Sequence, residues 1–186
     1  MLFRIINRLS RTARKLRITV FSGYYRHLLK LPRGFIVVTD KCDISCEGML
    51  SVGRGVFIRS KKHNQVEISV HKEGSLTIGE DVFINQGARI VATTFVTIGR
   101  GTHIGDEAII IDNDFHGIDG RPPKKGPIEI GSNVWIASRA IILRNIKIGD
   151  HSVVSANSVV TKDVPPYCVV AGNPAVVVKR IDEIEG

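Results

Sequence analysis

The sequence predicts an all-β solenoid built from six-residue repeats and preceded by a basic amphipathic helix. Three observations predict it: an aliphatic residue recurs at every sixth position, a small residue usually follows it, and the excess positive charge is confined to the first 33 residues. The chain is 186 residues long, 43% hydrophobic, 24% charged and 6% aromatic, with 18 Gly. That length fits one domain with an appendage, and that composition excludes a disordered or collagen-like chain. No apolar run approaches the roughly 20 residues needed to span a bilayer, which excludes a polytopic membrane protein.

The first element is an arm over residues 1–33. It holds nine basic residues (Arg4, Arg8, Arg11, Arg14, Lys15, Arg17, Arg26, Lys30 and Arg33) and no acidic one. The remainder carries 17 basic against 18 acidic residues, so the net charge of +8 belongs to the arm. Leu2, Ile6, Leu9, Ala13, Leu16 and Val20 advance by threes and fours, which draws one apolar stripe along a helix. Such a helix can lie on an anionic membrane surface, each basic residue contributing about 1 kcal/mol at low salt. It can equally pack on the solenoid or on a neighbouring subunit. No nucleic-acid-binding module accompanies the charge, so no nucleic acid partner is expected. The arm lacks both an unbroken apolar segment and a small-residue cleavage site, and is expected to be retained.

The solenoid is expected over residues 34–164. Its period is carried by Ile78, Ile84 and Ile90, by Ile98, Ile104 and Ile110, and by Ile130, Ile136, Ile142, Ile148, Val154 and Val160. Gly79, Gly99, Gly105, Gly131, Ala137, Gly149 and Ser155 follow. A helix has a period near 3.6 and a strand a period of 2, so neither sustains six. Three short strands joined by three tight turns do, as a triangular coil of 18 residues whose aliphatic side chains fill the interior. One coil cannot bury its own row of Ile and Val, whereas stacked coils share a continuous core. Val52 and Ile58 point to an earlier, less regular coil.

Two excursions break the period. Between Ile90 and Ile98 the spacing is eight, which makes Ala92 to Thr94 a bulge at a corner. Between Ile110 and Ile130 it is 20, and the intervening residues 112–127 are rich in Pro, Gly and charge, which makes them an exposed loop. Residues 165–186 are expected to form a short tail or helix packed on the solenoid. Cys42, Cys46 and Cys168 are an odd number without a CxxC pair, so buried thiols in a reducing, cytoplasmic compartment are expected rather than disulfides.

Four segments carry a family resemblance: Ile111-Asp112-Asn113-Asp114-Phe115-His116, Ile130-Gly131-Ser132-Asn133-Val134-Trp135-Ile136-Ala137, Val160-Thr161-Lys162-Asp163-Val164-Pro165-Pro166 and Ala171-Gly172-Asn173-Pro174-Ala175. In this order they resemble the hexapeptide-repeat acyltransferases, the left-handed parallel β-helix enzymes, and are most similar to the O-acetyltransferases found with bacterial polysaccharide biosynthesis. The resemblance covers roughly Val52 to Ile181. It implies an acetyl-CoA-dependent O-acetyltransferase acting on a saccharide hydroxyl, a homotrimer with the cofactor groove between subunits, and no metal. The acceptor is a free, nucleotide-linked or lipid-linked saccharide. A lipid-linked one would suit an arm resting at the inner face of the membrane.

The same resemblance implies that His116 is the general base. Chemistry agrees, because imidazole needs little tuning to take a hydroxyl proton near pH 7. Asp114, Asp112 or a backbone carbonyl could orient the ring. Asn85 stands where the small residue after Ile84 is expected, and the resemblance places it at the acceptor, although an asparagine ladder would also account for it. Trp135, Ser138, Ala156, Thr161, Lys162 and Lys179 are the positions carried over for coenzyme A, the two lysines as partners for phosphate. Trp135 alternatively packs, and the lysines alternatively form solvated surface. Similar chains can carry an acidic acceptor-binding residue near Ala92 and Thr93, and an Arg where Val176 stands; this chain has neither.

Two other classes compete. A zinc carbonic-anhydrase-like enzyme on the same fold needs three converging histidines, and His63, His71, His103, His116 and His151 are available. A non-catalytic solenoid scaffold would leave the loop histidine without a task.

Overall fold

The structure, a computed structural model, describes residues 2–181, with side chains from Ala13 onward except at position 14. Leu2, Ile6 and Leu9 of the apolar stripe and the last five residues of the C-terminal segment therefore lie outside the described side chains. Helix α1 (Leu2–Leu28) leads into strands that wind as a left-handed parallel β-helix. The first coil comprises β1 (Ile36–Val38), β2 (Asp43–Cys46) and β3 (Met49–Val52), and the second β4 (Val56–Ile58), β5 (Glu67–Val70) and β6 (Ser75–Ile78). The third contains β7 (Phe83–Ile84), β8 (Arg89–Ala92) and β9 (Phe95–Ile98), and the fourth β10 (His103–Ile104), β11 (Ile109–Ile111) and β12 (Ile128–Ile130). The fifth has β13 (Trp135–Ile136), β14 (Ile141–Ile142) and β15 (Ile146–Ile148); the sixth has β16 (Val153–Val154), β17 (Val159–Val160) and a bridge from Val164 to Ile148.

Stacking generates three sheets that form the walls of a triangular prism. Wall one runs from β1 through β4, β7, β10, β13 and β16; wall two from β2 to β17; wall three from β3 to β15. The six-residue period becomes columns: Ile84, Ile104 and Ile136 are in register on wall one, Ile90, Ile110 and Ile142 on wall two, and Ile98, Ile130 and Ile148 on wall three. All nine are buried. Small residues are required at the edge between walls three and one, where a Cβ on Gly99 would run into the Gly131 carbonyl in the next coil. Ile104→Ala, in the middle of its column, is expected to cost about 2–5 kcal/mol in chemical denaturation.

Both open ends of the prism are closed. At the first coil the Ser22 hydroxyl accepts the Val38 N–H at 2.9 Å, and the Tyr25 hydroxyl bonds both the N–H and the carbonyl of Cys42 at 2.7 Å. Phe21, Leu29 and Leu31 pack on the same core. The arm therefore does pack on the solenoid, through one of its faces. At the other end, β18 (Cys168–Gly172) continues wall one beside β16, and β19 (Ala175–Arg180) returns antiparallel to it. The expected tail or helix is thus a β-hairpin as far as residue 181. Consecutive valines at 176–178 have no helical spacing, and strand pairing satisfies their backbone along a sheet edge.

Burial pushes the Cys42 thiol up to about 12 from its ordinary 9.0, and raises the Tyr25 phenol above 10.0. The folded chain stays neutral where the unfolded chain ionises. Stability is therefore full below about pH 9 and declines as pH rises towards 12. The thermal midpoint should fall across that range, and less steeply for Cys42→Ala. Cys42 and Cys168 are buried and Cys46 is exposed, so alkylation at neutral pH should modify Cys46 alone in the folded protein.

Candidate active site

The loop 112–127 leaves the prism at the edge between walls two and three. Its base is a short antiparallel closure: Asn113 bridges Lys125, Asp114 N–H donates to the Lys124 carbonyl at 2.9 Å, and Gly126 N–H donates to the Asp112 carbonyl at 3.0 Å. The Asn113 side chain accepts the Phe115 N–H at 2.7 Å, and His116 N–H donates to the Asp114 carbonyl at 2.7 Å. These bonds hold Phe115 at φ 57°, an uncommon backbone region for a bulky side chain. The Phe115 ring lies 5.8 Å from that of His71, two coils earlier at the same edge. Gly117 has no room for a side chain, since a Cβ would run into the Arg121 carbonyl oxygen. The tip of the turn that presents His116 is shaped by the loop's own backbone and side-chain bonds.

Asp112 anchors this loop from beneath. Its carboxylate is completely buried and accepts from Thr93 N–H at 2.8 Å, the Thr93 hydroxyl at 2.8 Å, Thr94 N–H at 2.6 Å and the Thr94 hydroxyl at 2.7 Å. The two excursions in the period, at Ala92 to Thr94 and at 112–127, are thus the two halves of one clamp between adjacent coils. Four donors satisfy a buried charge that would otherwise be costly.

His116 opens onto a cavity of ≈ 270 Å³ lined by Asp114, Ile118, Asp119, Arg121, Lys124 and Arg144 among others. Arg144, which the repeat spacing does not single out, comes from the next coil and places Nε 2.8 Å from Asp114 Oδ1. Asp114 is therefore spent on Arg144 and Asp112 on the two threonines. No hydrogen bond joins either carboxylate to the His116 imidazole in this structure, and no described side chain bonds the ring. The loop's own backbone holds the residue instead, through the bond from His116 N–H to the Asp114 carbonyl.

The other expected site residues fall on different parts of the prism. Thr161 and Lys162 are exposed on the same edge as His116, two coils further on. Asn85, Ser138 and Ala156 lie on the edge between walls one and two, in the third, fifth and sixth coils. Trp135 projects from wall one and is 56% exposed, so it is not a core residue. Lys179 is exposed on β19, opposite Val169. Within one chain, then, His116 shares an edge with Thr161 and Lys162 and is separated by wall two from Asn85, Ser138 and Ala156. Asn85 accepts the Gln86 N–H at 3.0 Å through its side chain. No group of three His, Cys, Asp or Glu among the described residues is arranged to hold a metal ion, and the five candidate histidines are scattered along the prism.

A family model described as bacterial transferase hexapeptide (six repeats) matches residues 127–162. The galactoside O-acetyltransferase of Escherichia coli strain K12 is 34% identical over 139 residues, covering 62% of this chain and 68% of that protein. Among solved structures, a hexapeptide-repeat acetyltransferase of Vibrio cholerae O1 biovar eltor, complexed with acetyl coenzyme A, superposes with a TM-score of 0.58 at 31% identity, covering 68% of this chain and 71% of that one. A galactoside acetyltransferase in complex with coenzyme A gives a TM-score of 0.59 at 30% identity, covering 72% of this chain and 64% of that one. The repeat columns, the stacked coils and these likenesses agree: the chain belongs to the hexapeptide-repeat acetyltransferase family.

Proposed function

We propose that the protein transfers the acetyl group of acetyl-CoA to a hydroxyl of a saccharide. The observation that carries this reading is the position of His116, on a turn clamped between adjacent coils over a polar cavity, with Thr161 and Lys162 further along the same edge. In the reaction, His116 takes the proton of the acceptor hydroxyl as its oxygen attacks the thioester carbonyl carbon. Backbone N–H groups stabilise the oxyanion, the C–S bond breaks, and the imidazolium returns the proton to the departing thiolate. Lys162 and Lys179 offer charge to the phosphates of coenzyme A, while small Ala156 and Ser138 let its pantetheine arm lie close to the coils.

His116 and Asn85 occupy different edges, so a site using both closes only between copies. This supports a homotrimer in which one chain's His116 edge faces the Asn85 edge of the next. The acetyl-CoA and coenzyme A held by the two similar proteins support the choice of donor, and the galactoside enzyme supports a saccharide acceptor. A role in building a bacterial surface polysaccharide, in the reducing cytoplasm where three free thiols persist, belongs to the same reading. So does a position of residues 1–33 at the membrane, beside lipid-linked acceptors. The test is release of free thiol from acetyl-CoA with free, nucleotide-linked and lipid-linked saccharides. Acceptor-dependent release is expected; its absence across all three classes would overturn the reading.

A further inference from the structure

Helix α1 has two apolar faces, and the solenoid uses only one. Phe21 and Tyr25 turn inward to the first coil, together with Leu29 just past the helix end. Leu16, Val20, Tyr24 and Leu28 turn outward and are 65%, 57%, 57% and 49% exposed. Four residues turn an α-helix by about 400°, so each of these lies about 40° beyond the last and the four make one continuous stripe. Ala13, also exposed, begins it. Next to the stripe, a cavity of ≈ 430 Å³ opens between α1 and β2, with Val20, Tyr24, Leu28, Cys42 and Ile44 among its lining and Lys41 and Asp43 at its polar part.

Exposed leucine and valine in this arrangement are costly in water, and the surrounding charge decides what covers them. Within the described side chains, Lys15, Arg17, Arg26, Lys30 and Arg33 line the helix and the turn after it, and the only carboxylate paired with any of them is Asp40, 3.3 Å from Arg17. A second copy of the helix would bring the same positive charge to the contact and be repelled. A polyphosphate chain would match the charge but leave the stripe wet. An anionic lipid surface satisfies both, taking the stripe into its acyl boundary and the cations among its headgroups. No described helix is long and apolar enough to cross a membrane, which fits a helix lying in the plane of the interface.

We propose that the outward face of α1, along Leu16, Val20, Tyr24 and Leu28, docks the protein on anionic phospholipid. This deepens the reading that sets residues 1–33 at a membrane, and it stands apart from the identity of the acceptor. The cleft beside β2 gives a lipid chain, displaced from the leaflet, a place to lie against Tyr24 and Ile44.

The experiment is flotation of the full chain with phosphatidylcholine vesicles, with and without phosphatidylglycerol, at low and high salt. Binding is expected only with phosphatidylglycerol, weakened by salt, and reduced by about tenfold or more in Leu16→Glu/Val20→Glu. Both positions are exposed, so the fold should survive, which the thermal midpoint checks. Equal binding to neutral vesicles, or a double variant that floats like the parent, would overturn the inference. So would a change in sedimentation coefficient of the double variant without vesicles, since the stripe would then be covered by another copy. Thiol release on a soluble acceptor should be the same for parent and double variant. Its absence in the parent would count against acetyl transfer alone and leave the flotation result intact.

Discussion

Replacing His116 with alanine is expected to lower the turnover of acetyl transfer by about 10²- to 10⁴-fold, the range that a positioned general base contributes. The thermal midpoint and the affinity for acetyl-CoA should change little, because His116 is exposed on its loop and no described side chain hydrogen-bonds its imidazole. The measurement is steady-state thiol release beside calorimetric binding of acetyl-CoA to the same variant. A loss confined to turnover assigns His116 to the proton transfer. An equal loss of binding would make it a cofactor contact instead, and unchanged turnover would remove it from the chemistry.

The second large effect is expected at Asp112, a buried residue beneath the loop. Asp112→Ala strands the Thr93 and Thr94 N–H groups and two hydroxyls at a buried position, a cost of about 2–5 kcal/mol. The damage should be local first. Hydrogen exchange should accelerate at residues 113–126 and at 93–94 while the Ile columns of the remote coils stay protected. Turnover should fall with the clamp, since His116 sits four residues beyond it. The paired test is Thr93→Ser/Thr94→Ser, which keeps both hydroxyls and should keep turnover, against Thr93→Val/Thr94→Val, which removes them. If the valine pair matches the wild type in both exchange and turnover, the clamp does not position the loop.

Much of the fold is legible in the sequence because a solenoid interior repeats. Outside its two excursions, every sixth residue from Ile78 onward meets the same environment, so the same side chain recurs and the columns follow from spacing within each run. The first coils are harder to read because extra residues enter at the edges: Ile58 and Ile68 stack under Ile84 and Ile90 but are ten residues apart rather than six, and Lys61 to Asn64 form an extra turn there. The C-terminal hairpin escapes the period because β19 pairs antiparallel and so leaves the six-residue rule. At the site, His116 is legible from its loop, whereas its neighbours are not legible from local spacing. Asp112 meets Thr93 and Thr94 at separations of 19 and 18 residues, about one coil, and that equality is a signal the sequence does carry. Arg144 lies 30 residues from Asp114, one coil plus the length the loop adds, so its pairing depends on the path of the loop itself.

The antiparallel return of β19 also sets how long this molecule can be. A parallel stack exposes an edge that accepts one more identical coil, and nothing within the repeat says when to stop. By reversing direction, β19 offers the next coil a strand of the wrong polarity, while α1 occupies the opposite end. Among the described residues the prism is therefore bounded at both ends, with the loop bearing His116 at an interior coil. An 18-residue coil spliced between β15 and β16 would lengthen the rod on the Lys162 side by one strand spacing, about 4.8 Å, and leave the turn bearing His116 and its clamp where they are.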